Sequence, residues 1–489
     1  MRSHPWFNLP AVLVILLGLV SVPSLGSGWM ERSQAESAFS AKQYRLAAVD
    51  YALAATHLAW QYDLWERAGQ SELAAGDPVR AINRLLRARR LSPLGWAILG
   101  DAYRQTGQLE AALSSYQSGL ALQPDSAALC QRQAAVYRLQ GDWGREAASL
   151  EAYLSLQPKD AAGHYRLGLL LALSDPNRAL RELMSASSLE ADYDSVVQTL
   201  RTAINQASLN NDPAQQAILV GRALGLVDEW PLAAQAFQKA ITSQPEEAEA
   251  WAWLGEAHQH LDTALSRRVE LVETLPASVL AGSKGQDGLA ELDEALRLNP
   301  ESVTVRALRG LYWKRHDQPE KALIQFRAAA ILDPENPAWS AAIGDSLTQQ
   351  GDLPAALTAY EQASALAPGQ ADYWRLLATF CAQYDLQVEE VGLPAALQAV
   401  SLGGDQASSQ DALGWSYLKL GDTTSAKRAL LRAVELDPEL ALAHLHLAML
   451  YLELRQPELA HAQLLQTIQI AGDDLIGQQA RGMLEQYYP

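Results

Sequence analysis

Apolar residues along this chain recur at spacings of three and four, the signature of amphipathic helices in which one stripe shares a face. The pattern is sharpest over residues 93–126. Trp96, Leu99, Gly100 and Tyr103 form one stripe. Gly107 follows, a residue free to take the positive φ that often ends a helix. Ala112, Tyr116 and Gly119 form a second stripe, and Pro124 stops it because proline cannot donate the next backbone hydrogen bond. The segment predicts two antiparallel helices joined by a tight turn.

Prolines mark the period of this unit. Pro93, Pro124, Pro158, Pro245, Pro300, Pro334, Pro368 and Pro438 each follow an apolar stretch, as in LALQP, AILDP and VELDP. Pro124 to Pro158, Pro300 to Pro334 and Pro334 to Pro368 each span 34 residues. The other gaps fit the same ruler with local insertions and deletions. The unit at 214 repeats the pattern with Ala217, Val220, Gly221, Leu224, Ala233, Phe237, Ala240 and Pro245. The unit at 303 has Gly310, Trp313, Ala322, Phe326, Ala329 and Pro334, with Arg306 and Arg309 replacing its first two apolar residues. The unit at 407 has Leu413, Gly414, Tyr417, Ala426, Leu430, Ala433 and Pro438.

At these residues the chain resembles the tetratricopeptide repeat family, whose unit of about 34 residues is a helix pair. The small residues let helix backbones approach, and the large ones fill the space between them. Weaker units begin near 28, 62, 127, 161, 248, 337, 371 and 441, giving about twelve over residues 28–474. The resemblance implies an all-α fold, a right-handed superhelical α-solenoid, here preceded by one N-terminal hydrophobic helix. The expected organisation is a membrane anchor or signal peptide at 1–27, a repeat array at 28–194 and an unpaired linker helix at 195–213. A second array follows at 214–473, with an insertion at 261–285, and a capping helix closes it at 474–489.

The amino terminus supports two readings. Residues 5–30 carry no charged side chain, and Ala11–Val20 reads AVLVILLGLV. Trp6–Val22 sits at the short limit for a membrane-spanning helix, which needs about 20 apolar residues. Such a helix is a single-pass cell-membrane anchor. Alternatively Pro23-Ser24-Leu25-Gly26 supplies the small residues of a signal-peptide cut near Gly26, and the protein is secreted. Both readings place the repeats on the extracytoplasmic side, given Arg2 before the apolar run.

Composition narrows the function classes. Apolar residues are 49% and charged residues 19%, as in a globular chain. The net charge of −18 argues against general nucleic-acid binding, which needs a basic face. The two cysteines exclude a disulfide scaffold and a four-cysteine zinc site. Cys130 and Cys381 occupy apolar repeat positions and read as buried small hydrophobes.

A search for chemistry finds no catalytic constellation. Gly282-Ser283-Lys284-Gly285 lacks the spacing of a phosphate-binding loop, and no Gly-x-Ser-x-Gly elbow occurs. His258 and His260, like His444 and His446, are two residues apart, which on a helix points them about 200° apart. Neither pair chelates one metal. Asp192-x-Asp194 reads as an acidic turn that starts a helix. No enzyme activity, metal, cofactor or small-molecule substrate is expected.

The resemblance instead implies that the first helices of the units line a concave groove for peptides or partner helices. Its usual groove positions map here to Asp101, Ala135, Leu169, Arg222, Glu256, Leu311, Asp345, Thr379 and Trp415 at one level. Arg104, Arg138, Lys314 and Leu418 fall at another, and Arg375 at a third. Arg104 and Arg138 hold the same position in successive units, suited to gripping a carboxylate by bidentate hydrogen bonds. Trp415 is expected as an apolar anchor for a partner. The partner-binding candidates are therefore Arg104, Arg138, Arg222, Lys314, Arg375 and Trp415. The expected function is a membrane-tethered protein-interaction scaffold. The alternative is an accessory or regulatory subunit of a cell-envelope enzyme or of a secretion or polysaccharide-assembly machine.

Overall fold

The structure is a computed structural model that describes residues 9–271, 287–403 and 406–488; side chains are described outside 9–24 and 264–271. The described residues form helices and turns, with no strand among them. In chain order the first helices are α1 (Leu9–Ser40), α2 (Tyr44–His57), α3 (Asp63–Ala74), α4 (Pro78–Leu85), α5 (Pro93–Gln105), α6 (Leu109–Leu122), α7 (Ala127–Gln140) and α8 (Trp143–Leu156). They continue as α9 (Ala161–Leu171), α10 (Pro176–Leu189), α11 (Asp194–Leu209), α12 (Pro213–Leu226), α13 (Trp230–Ser243) and α14 (Ala248–Leu271). Next come α15 (Leu289–Leu298), α16 (Val303–Arg315), α17 (Pro319–Leu332), α18 (Pro337–Gln350), α19 (Leu353–Leu366) and α20 (Ala371–Tyr384). The last are α21 (Leu393–Gly403), α22 (Ala407–Lys419), α23 (Thr423–Leu436), α24 (Ala441–Glu453), α25 (Pro457–Ala471) and α26 (Leu475–Tyr487).

The chain divides into two compact units. Unit 1 comprises Met1–Pro245 and Ala257–Asp287, and unit 2 comprises Glu246–Glu256 and Gly288–Pro489. Within each, consecutive helices pack as antiparallel hairpins and the hairpins stack, so each unit is a stretch of helical-repeat solenoid. Most of these helices are 13 or 14 residues long, a length that is marginal for an isolated helix in water. Their stability comes from neighbours covering their apolar faces.

Sequence fixes the hairpin geometry through one recurring contact. A Cβ added at Gly69, Gly100, Gly221, Gly310, Gly344 or Gly414 would lie 2.2–2.9 Å from a large side chain on the following helix. Those side chains are Leu85, Tyr116, Phe237, Phe326, Tyr360 and Leu430 respectively. The glycine is therefore a socket for the ring or branched chain, and both helix axes approach until the socket is filled. Ala35 with Tyr51, and Ala448 with Leu464, occupy the same level in their own core clusters. The turns obey local chemistry as well. Gly107 takes φ +75°, as its place after a helix predicts. Asp77, Asp142, Asp175, Asp352 and Asp422 each accept a backbone hydrogen bond at a helix start.

Helix α11 packs between α10 and α12, and α26 packs against α24 and α25. The insertion predicted at 261–285 begins as a continuation of α14 to Leu271, and its residues 272–285 lie outside the described ones. The predicted anchor over 1–27 also falls largely outside the described side chains. Among the described residues no helix is long and apolar enough to cross a membrane. What the structure does describe is the end of that segment. Leu25, Ala35 and Ala38 pack into the first core cluster with Tyr51 and Leu58. Glu31 Oε2 lies 2.8 Å from His57 Nδ1, and Arg32 donates to Gln61 at 2.7 Å.

Candidate functional site

In unit 1, α5, α7 and α9 are the first helices of three consecutive hairpins. A cavity of about 650 Å³ opens across them. Arg104 of α5 and Arg138 of α7 both line it, so the two arginines paired by sequence position share one cavity. Arg132 of α7 and Arg166 of α9 join them, with Asp101, Asp160 and Glu229 as the acidic members. Tyr153, Tyr165 and Tyr193 supply aromatic surface, and the Tyr165 and Tyr193 rings are 4.8 Å apart.

The arginines differ in how far their donors are engaged. Arg166 is buried, and Glu146 accepts from its Nε at 2.7 Å and its Nη2 at 3.0 Å. Its Nη1 donates to Glu229 at 2.9 Å. Burial opposes the charge on Arg166, but hydrogen bonding and attraction from Glu146 and then Glu229 outweigh it and hold the guanidinium above its usual pKa. Arg132 Nε donates to Asp101 at 3.0 Å, and its Nη1 donates to the Ala128 carbonyl at 3.2 Å. Among the described residues Arg138 donates only its Nε, to Glu146 at 2.7 Å, and its side chain is 49% exposed. Arg104 is hydrogen-bonded to the Tyr116 hydroxyl and makes no carboxylate pair among the described residues.

Asp101 holds this end of the cavity together. It accepts from the Tyr116 hydroxyl at 2.8 Å as well as from Arg132. Burial, then Asp101, keeps the Tyr116 phenol protonated well above its usual range. Burial, then Glu229, pushes Tyr165 up to about 12. Unit 2 repeats the device at Asp345, which accepts from the Tyr360 hydroxyl at 2.7 Å and from Lys314 Nζ at 2.5 Å.

The other candidates are placed differently. Lys314 is tied to Asp345 of the next repeat. Arg222 is exposed on α12, away from the cavity lining. Arg375 of α20 donates from Nη2 to Asp372 at 3.3 Å, while its buried Nε has no hydrogen-bond partner among the described residues. Trp415 requires a correction. It is 8% exposed, sits in a core cluster with Leu418, Leu430, Leu447 and Tyr451, and stacks on His446 at 4.1 Å. It does not present an apolar face to a partner, because the next hairpin already covers it. His446 in turn lies 2.8 Å from Asp411, and His444 contacts Gln463 at 2.6 Å. Among the described residues no three His, Cys, Asp or Glu side chains converge as metal ligands. Cys130 and Cys381 are buried and unlinked.

A family model for the tetratricopeptide repeat matches residues 67–127, 221–263, 278–337, 341–383 and 412–475, more than half of the chain. The chain belongs to the tetratricopeptide-repeat family. The sequence matches no curated protein. Among solved structures, this repeat protein is similar to a chain of the APC/C hetero-tetramer Cut9-Hcn1, at 15% identity and TM-score 0.43, over 97% of this chain and 99% of that one. It is similar to yeast Tom70 at 15% identity and TM-score 0.36, over 81% of this chain and 95% of that one. It is similar to YrrB, described as a TPR protein with an unusual peptide-binding site, at 20% identity and TM-score 0.29, over 39% of this chain and 97% of that one.

Arg132, Glu146, Arg166 and the three tyrosines were not among the sequence candidates. One internal signal points to part of this set. Units with Tyr opposite the glycine socket (Tyr116, Tyr360) carry Asp at the ninth position (Asp101, Asp345), whereas those with Phe237, Phe326 or Leu430 carry Arg222, Leu311 or Trp415. The pairing is that of a hydroxyl donor with its acceptor.

Proposed function

We propose that this chain is a non-enzymatic protein-interaction scaffold that holds a segment of a partner protein in the unit 1 groove, by equilibrium binding and without turnover. The reading rests on membership of a repeat family. The observation that carries it is the cavity across α5, α7 and α9, which gathers arginine donors from first helices of successive hairpins beside the rings of Tyr153, Tyr165 and Tyr193. Polar groups that fix orientation beside aromatic surface are the usual make-up of a recognition site. The proposal includes tethering of the repeats to a membrane, on the extracytoplasmic side, by the apolar run Ala11–Val20.

Photo-crosslinking in cells tests the binding part. A photoreactive residue placed at Ala135 or Ala162, which line the cavity, is expected to give a discrete adduct with one or a few proteins. A photoreactive residue at Leu226, exposed elsewhere on unit 1, is expected to give none of them. Absence of any groove-specific adduct refutes the scaffold reading. Membrane fractionation with amino-terminal sequencing tests the tether. A soluble chain beginning at Ser27 replaces the anchor with secretion.

A further inference from the structure

The occupant of the groove follows from which donors the protein leaves unengaged. Arginine carries five N–H donors in a rigid fork. In Arg166 the fork is divided between Glu146 and Glu229, and in Arg132 it faces Asp101. Arg138 engages a single donor and is half exposed, and Arg104 is hydrogen-bonded to the Tyr116 hydroxyl but has no carboxylate partner among the described residues. Both line the same cavity, from equivalent positions on α5 and α7, which touch at their edges with α6 packed against both. The recess as a whole balances four arginines against Asp101, Glu146, Asp160 and Glu229, and these two are the cations whose outer donors no carboxylate among the described residues takes.

Helices in contact lie about 8–10 Å apart. An extended peptide advances about 3.3 Å per residue, so two side chains on one face, with one residue between them, are about 7 Å apart. The Arg104 stem, which no carboxylate among the described residues anchors, spans the remaining difference. Tyr165 and Tyr193 lie further along the same recess, with ring surface for an apolar neighbour. The geometry points to an extended partner segment with two acidic side chains separated by one residue, one gripped by Arg104 and the other by Arg138. This inference rests on the groove being the binding surface.

The test uses the full chain and three labelled peptides, all N-acetylated. The first, Ala-Glu-Leu-Glu-Ala-Tyr, is C-amidated. The second replaces both Glu by Gln, also amidated. The third keeps the Gln residues but has a free C-terminal carboxylate. Fluorescence anisotropy is expected to show the first peptide binding at least about tenfold tighter than the second. Binding is also expected to weaken as salt rises, since the groove is open to solvent. Arg104→Gln and Arg138→Gln are each expected to weaken it several-fold, with the far-ultraviolet melting curve unchanged for Arg104→Gln and lowered for Arg138→Gln, which takes one of two cations from the buried Glu146. Equal binding of the first two peptides overturns the inference, as does unchanged binding by the double arginine variant. Tight binding of the third peptide alone also overturns it, because the groove then reads a chain terminus. If the acidic peptide fails while the crosslink at Ala162 persists and is lost in Tyr165→Ala, the groove stands and only the acidic ligand is wrong. Loss of both removes the groove reading as well.

Discussion

Gly100→Ala is a single methyl group placed where the fold has no room. The new Cβ would lie 2.2 Å from Tyr116 Cε1 and 2.5 Å from Cδ1, over an ångström inside ordinary carbon contact. Tyr116 is fully buried and cannot swing out to solvent. Its hydroxyl is also fixed, donating to Asp101 at 2.8 Å. The substitution gains about 1 kcal/mol from the better helix propensity of alanine. Against this, overpacking costs about 1–3 kcal/mol, and weakening a hydrogen bond to a charged acceptor costs about 1.5–3 kcal/mol. The net expectation is a loss of about 1.5–5 kcal/mol. Gly482→Ala is the matched control, since Gly482 lies within α26 with nothing within 4 Å of an added Cβ. It should stabilise by up to about 1 kcal/mol through propensity alone. Urea unfolding followed by circular dichroism compares the two. Midpoints that move together in the same direction would show that Gly100 is not a socket, and the account of hairpin packing would be wrong.

Trp415→Ala should cost about 3–5 kcal/mol as a core truncation; an unaltered urea midpoint would return Trp415 to the groove surface. Glu146→Gln leaves Arg166 buried with half its compensation gone and should cost about 3–5 kcal/mol, read as a lowered unfolding midpoint near neutral pH. Alkaline titration should destabilise unit 1. Tyr165 binds its proton up to about 12 when folded against a model value of 10.0, so between these values the folded state holds the extra proton. Stability from this group is complete below about pH 10 and is lost as pH rises towards 12. Tyr165→Phe should flatten that decline, and an identical slope in the variant would count against it.

The hairpins were legible because each depends on residues close in sequence. Gly100 and Tyr116 are 16 positions apart on one ruler, and the same pair recurs at Gly310 and Phe326. Arg104 and Arg138 were legible as neighbours for the same reason, since stacking brings equivalent positions together. Trp415 was not. Its burial is decided by His446, on the first helix of the next hairpin, and a position that faces solvent in one repeat is covered in another by whatever the neighbour carries. Glu146 was missed because it sits in the first turn of α8, outside the levels assigned to the groove. Its importance comes from two arginines on different helices meeting there, which spacing along one helix does not reveal.

The cluster around Glu146 also explains why arginine, and not lysine, suits position 138. A buried ion pair is poor grounds for extra stability, because desolvation offsets much of the attraction. What it provides is orientation. Glu146 is wholly buried and takes only the Nε of Arg138, which leaves the two outer nitrogens at the half-exposed end of the side chain. Ordering a long side chain on binding costs about 0.5–1.5 kcal/mol, and here that ordering is already present before the partner arrives. A lysine has one nitrogen for both tasks. Arg138→Lys should therefore keep the charge and the fold yet lose acidic-peptide affinity about as much as Arg138→Gln does. Binding at the parental strength would mean that net positive charge alone, without the anchored fork, is enough to hold the ligand.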